Sequence, residues 1–236
     1  MVICQRWCAY FFMVLGGSLI TSAQTNATLP SPTGIRYGVI GDSYSNGEGA
    51  MPSDAWPTRL TAHLVASGIS VKLVANPSVT GWTTRQALDI ELPAWKSAKP
   101  DFATLQIGVN DWVQGVKAVT FRQHFAQLLD EMLKVLPDKR RLLIVNIPDF
   151  SVTPTGAAYG GGRDISRGLA DFNQIIQQEA ARRQLNVVDV YTLSRSMATD
   201  RALTARDGLH PSAKEYALWE QVIFPSAHEM LTKTSP

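Results

Sequence analysis

The stretch Ile35-Arg36-Tyr37-Gly38-Val39-Ile40-Gly41-Asp42-Ser43 decides the fold. Residues 35–40 form a short, largely apolar and β-branched run of the kind that lies buried on both faces in a parallel sheet, and the run stops at a glycine, an acid and a serine. Four more such runs follow, at residues 71–75, 102–107, 142–147 and 187–190. Helical patterns lie between them. Phe121, Phe125, Leu128, Met132 and Leu136 recur at three- to four-residue spacing, with Thr120 and Gln123 set to form a capping box. Ile165, Leu169, Phe172, Ile176 and Ala180 repeat in the same way behind Asp164 as an expected N-cap. A closing helix should start at Pro211 and break or kink near Pro225. Five strands, four intervening helical segments and a closing helix predict an α/β fold on a doubly wound, five-stranded parallel sheet.

Outside that unit, residues 1–23 have the pattern of a secretory signal peptide. Arg6 supplies the positive start, residues 9–20 the apolar stretch, and Thr21-Ser22-Ala23 small residues for cleavage. The apolar stretch is shorter than the ~20 residues that span a bilayer, which disfavours a membrane anchor. Residues 24–34, rich in Pro, Thr and Ser, read as a flexible tether, and residues 35–236 as one domain. Cys4 and Cys8 are the two cysteines, so an exported mature chain would carry none and need no disulfide. The sequence has 22 Lys and Arg against 20 Asp and Glu; removing residues 1–23 takes away Arg6 and no acid, leaving 21 against 20. A balance so near zero gives no reason to expect nucleic acid or an anionic membrane as partner.

In an open parallel sheet, ligands sit at the carboxyl ends of the strands. Ser43 follows the first run, Gly81 the second, Asn110 the third, and Asp207 and His210 lie beyond the fifth. Residues far apart in sequence should therefore share one rim. A serine hydroxyl is a poor nucleophile until a neighbouring base takes its proton, and an imidazole does so best when a carboxylate fixes its tautomer. These three parts occur in the order Ser43, Asp207, His210. The chemistry assigns Ser43 as nucleophile, His210 as general base and later acid, and Asp207 as the group that orients His210. Acyl transfer also needs donors aimed at the developing oxyanion; the backbone N–H groups of Ser43 and Gly81 and the side-chain amide of Asn110 would supply them. Singly, each motif is ordinary turn chemistry. Four in this order, each after a strand, make a site.

Gly41-Asp42-Ser43, Gly81, Gly108-Val109-Asn110-Asp111 and Asp207-Gly208-Leu209-His210 resemble the four blocks of the SGNH (GDSL) hydrolases. The resemblance covers nearly all of residues 35–225. It implies a flavodoxin-like sheet, the triad and oxyanion roles just given, and no metal or organic cofactor. Ala55-Trp56-Pro57 is similar to the secreted thioesterase/lysophospholipase branch. The expected function is that of an exported serine esterase, periplasmic or extracellular, acting through an acyl-enzyme on a small-molecule ester, a lipid or an acylated carbohydrate. The alternatives are an acyltransferase with the same triad and a non-catalytic carbohydrate-binding protein on the same scaffold. No Gly-x-Ser-x-Gly elbow, dinucleotide fingerprint, phosphate loop or His-Glu-x-x-His motif competes.

The remaining candidates carry less. His63, His124 and His228 lie in helical patterns and read as surface or half-buried side chains. Trp82 and Trp112, next to motif residues, suit pocket lining and simple packing equally. Asp42 and Asp111 are placed to hold loop backbone. The Gly-rich stretch 153–163 reads as a solvated loop rather than a flap over the substrate.

Overall fold

The structure, a computed structural model, describes residues 34–233. The expected signal peptide (residues 1–23) and all of the expected tether except Gly34 lie outside the described residues. Five parallel strands form one sheet: β1 (Ile35–Gly41), β2 (Val71–Ala75), β3 (Phe102–Gln106), β4 (Leu142–Val145) and β5 (Asn186–Val188). Their order is β2-β1-β3-β4-β5. The chain therefore reverses its direction of travel across the sheet between β1 and β3, and a ligand crevice opens beyond the carboxyl ends of those two strands. The β3 and β4 side chains are all buried, as a parallel sheet covered on both faces requires.

The helices, in chain order, are α1 (Ser43–Asn46), α2 (Trp56–Ala66), α3 (Thr84–Gln86), α4 (Leu92–Ser97), α5 (Val109–Val113), α6 (Ala118–Val135), α7 (Ile165–Arg182), α8 (Tyr191–Ser194) and α9 (Ala213–Thr232). α2 packs on α9, while α6 packs on α4 and α7. Phe121, Phe125, Leu128 and Met132 form the buried stripe of α6. α4 lies close against β1. A Cβ on Gly38 would meet the Trp95 indole nitrogen at 2.4 Å, so that strand position must be glycine for the indole to lie there.

Several boundaries differ from the sequence reading. Apolar burial runs on after the ladder stops: Ile147 and Val190 are fully packed yet lie outside the strands. Their backbone groups bond to side chains instead. Asn173 Oδ1 accepts from the Ile147 N–H at 2.8 Å, and Asn146 Oδ1 accepts from the N–H groups of Val190 (2.8 Å) and Tyr191 (3.0 Å). The capping box at Thr120 does not form, because Lys117 already supplies the extended residue before α6 and puts Thr120 inside the first turn. Asp164 does cap α7, accepting from the Arg167 N–H. α9 begins at Ala213 behind a Ser212 cap rather than at Pro211, and it does not break at Pro225. The carbonyl that loses its donor there belongs to Gln221 on the exposed face, where water can serve it.

Candidate active site

β1 ends in a turn that the chain makes rigid from below. The buried Asp42 caps α1 by accepting from the Tyr44 N–H at 3.1 Å, and Gly47, at φ +86°, closes the helix after one turn. Ser43 is thus the first helical residue, and its N–H has no intrahelical acceptor. Burial pushes the Asp42 carboxyl up to about 8 against the Tyr44 N–H. Beneath it, a π-turn (Ala87–Glu91) between α3 and α4 presents Glu91, whose Oε2 accepts from the Gly41 N–H at 3.0 Å. Glu91 is completely buried, and burial pushes it up to about 9.

The sign of that shift fixes a pH dependence. Above the ~4.3 of an ordinary glutamate the unfolded chain releases a proton that the folded chain keeps. Stability from Glu91 is therefore full at acid pH and is lost as pH rises toward about 9. Glu91→Gln keeps a carbonyl for Gly41 but cannot titrate. Its urea midpoint should gain steadily on wild type from about pH 5 to about pH 8, and parallel profiles would contradict this.

Asp207 and His210 sit on a turn that the chain ties at several points. Asp207 Oδ1 accepts from the N–H groups of Leu209 (2.8 Å) and His210 (3.0 Å), and Gly208 takes φ +74° between them. The Ala205 N–H donates to the His210 carbonyl at 2.8 Å, and the N–H and hydroxyl of Thr155 both donate to the Gly208 carbonyl. Within this turn Asp207 Oδ2 stands 2.6 Å from His210 Nδ1, and His210 Nε2 stands 3.1 Å from Ser43 Oγ. Burial alone would raise the Asp207 carboxyl, but the Leu209 N–H, the imidazole and the His210 N–H outweigh it and hold the group below the usual range. An ionised Asp207 keeps the ring proton on Nδ1 and leaves Nε2 free to accept from Ser43. The Tyr44 ring meets His210 edge-on at 5.9 Å.

Asn110 stands in the first turn of α5 and lines the same cleft as Ser43 and His210. One of its amide hydrogens goes to the Trp82 carbonyl at 2.9 Å. Gly81, at φ +84°, adjoins Asn110 through its neighbour Trp82, and its own carbonyl accepts from Gln114 Nε2 at 3.0 Å. The Gly81 loop is fixed to its neighbours. The buried Asp111 accepts from the Thr84 N–H (2.8 Å) and hydroxyl (2.5 Å), and Glu48 accepts from the Thr80 hydroxyl at 2.8 Å. Asp42 and Asp111 thus hold backbone, as expected.

Of the rest of the cleft, only Val109 and Leu209 belong to the motifs. Tyr44, Val109, Val113, Phe150, Tyr159 and Leu209 line it. Tyr159 belongs to the Gly-rich stretch, which is largely exposed but walls the cleft at that residue, a correction to the solvated-loop reading. The available signal was slight: Phe150 and Tyr159 are the aromatics of a segment that follows a strand's carboxyl end. Trp112 packs rather than lines, edge-on to Phe150 and under the Arg163 guanidinium at 4.1 Å. His63 stacks on Phe224 and bonds to Glu220, away from the site. Among the described residues no group of three or more His, Cys, Asp or Glu is placed to hold a metal ion, and no helix is long and apolar enough to cross a membrane.

Comparison with known proteins places the chain as a whole. The model of the GDSL-like lipase/acylhydrolase family matches residues 39–218. Among solved structures, TesA is 22% identical over 83% of this chain and 99% of its own, with a TM-score of 0.67. The lipase/acylhydrolase from Enterococcus faecalis is 19% identical over 86% and 100%, with a TM-score of 0.67. A Clostridium thermocellum family 3 carbohydrate esterase is 23% identical over 84% and 96%, with a TM-score of 0.65. No curated protein matches significantly.

Proposed function

Because the chain belongs to the GDSL-like lipase/acylhydrolase family, and is thereby a carboxylic ester hydrolase, we propose that it works as an exported serine esterase through an acyl-enzyme on Ser43. The observation that carries this reading is the chain of two contacts, Asp207 Oδ2 to His210 Nδ1 at 2.6 Å and His210 Nε2 to Ser43 Oγ at 3.1 Å.

His210 takes the Ser43 proton as Oγ attacks the ester carbonyl, and Asp207 stabilises the imidazolium that forms. The carbonyl oxygen becomes an oxyanion, which the Ser43 N–H and the Asn110 amide hydrogen not given to Trp82 receive, with the Gly81 N–H as third donor. His210 then returns the proton to the leaving alcohol, and water repeats the sequence on the acyl-enzyme. Export rests on the pattern of residues 1–23. Small-molecule, lipid and acylated-carbohydrate esters all suit the chemistry, and an acylated carbohydrate has the added support of the likeness to a carbohydrate esterase.

Titration with a fluorophosphonate tests the proposal. One equivalent should abolish ester hydrolysis, with the label on the peptide that carries Ser43. Full activity after exposure to a large excess would overturn it.

A further inference from the structure

The cleft over Ser43 and His210 is small and apolar. Its volume is about 80 Å³, and its walls come from Val109 and Val113 of α5, Phe150, Tyr159 and Leu209. An aliphatic cavity of ~150 Å³ takes one benzene, so this one has room for about three carbon atoms. Such a lining suits an alkyl chain and not an alcohol that bears hydroxyls; a separate polar groove, lined by Glu48, Arg206 and Ser212, borders Asp207.

The walls are braced against yielding. Val109 and Phe150 are buried, and Phe150 is held edge-on between Trp112 at 6.4 Å and Tyr159 at 6.3 Å. The segment that carries Tyr159 is fixed on both sides. Thr155 is bonded twice to the Gly208 carbonyl, at 2.9 Å each. Arg163 donates to the carbonyls of Trp112 (2.7 Å) and Val113 (2.9 Å) while lying over the Trp112 ring. The wall is thereby joined to the turn that bears His210 and to the helix that bears Asn110. Tyr159 itself is 45% exposed and stands where the cleft meets solvent.

We propose that this cleft is the acyl pocket, that it limits the acyl group to roughly two to four carbons, and that Tyr159 is the residue that closes it against longer chains. The inference rests on the acyl-enzyme reading above. An acyl chain too long for the cleft holds its carbonyl away from Ser43 Oγ and the oxyanion donors, and a small misplacement there is costly in rate.

p-Nitrophenyl acetate, butyrate, octanoate and palmitate separate the outcomes. Wild-type kcat/KM should be highest on acetate and butyrate and lower by about tenfold or more on octanoate. Tyr159→Ala should raise the octanoate-to-acetate ratio by about tenfold, and Val113→Phe, which fills the cleft, should lower the butyrate-to-acetate ratio. If Tyr159→Ala does not fold, the wild-type profile and Val113→Phe decide. A wild-type profile flat or rising to palmitate, or ratios unmoved in folded variants, would overturn the inference and leave the esterase reading standing. No hydrolysis of any ester by folded wild type would overturn that reading and this inference with it.

Discussion

Ser43→Ala is expected to lower kcat on a short p-nitrophenyl ester by on the order of 10⁴-fold or more, with the fold intact. The reason is geometric. Ser43 Oγ is the atom that His210 Nε2 reaches at 3.1 Å, and the serine lies at the first position of a one-turn helix whose cap and termination belong to Asp42 and Gly47. Removing one hydroxyl leaves that backbone untouched. The buried neighbours Tyr44 and Ser45 and the Glu91–Gly41 bond remain, so circular dichroism and the thermal midpoint should stay near wild type. What is lost is the covalent route, since a water held by His210 has only the oxyanion donors and binding to help it. Retention of more than about a tenth of wild-type kcat would end the serine reading.

Asn110→Ala should cost about 10²–10³ in kcat, or ~3–4 kcal/mol, with little change in KM. An amide side chain has two N–H donors, and the Trp82 carbonyl uses one of them at 2.9 Å. The other is available to an oxyanion that exists only as Oγ attacks, which is why kcat and not KM should respond. Asn110→Asp should be worse than alanine. It sets a negative charge beside the developing one and replaces the bond to Trp82 with repulsion between two acceptors. A variant with raised KM and unchanged kcat would make Asn110 a binding residue and remove it from the oxyanion hole.

The sheet was legible because strands buried on both faces leave continuous apolar runs, and all five runs fall on the observed strands. Their ends were less so. Nothing local in residues 142–147 says that Asn146 will turn its side chain on Val190 and Tyr191, a partnership across more than forty residues. The meeting of Ser43, Asp207 and His210 was legible for another reason: each lies beyond a strand's carboxyl end, and topology brings such ends to one rim. Glu91 was not, because its partner is a backbone N–H fifty residues away and the π-turn that aims it has no sequence pattern. Tyr159 escaped because one aromatic in a glycine-rich loop looks like surface until Arg163 and Thr155 are seen to pin the loop in place.

Rapid-quench mass spectrometry of the intact protein mixed with p-nitrophenyl acetate tests the acyl-enzyme most directly. Acid quenching within the first turnovers should trap a species heavier by one acetyl group. Proteolysis should place that group on the peptide containing Ser43, and Ser43→Ala should give none. Release of p-nitrophenol through many turnovers, with the protein mass unchanged at every time and the rate undiminished in Ser43→Ala, would show direct attack by water and contradict the account.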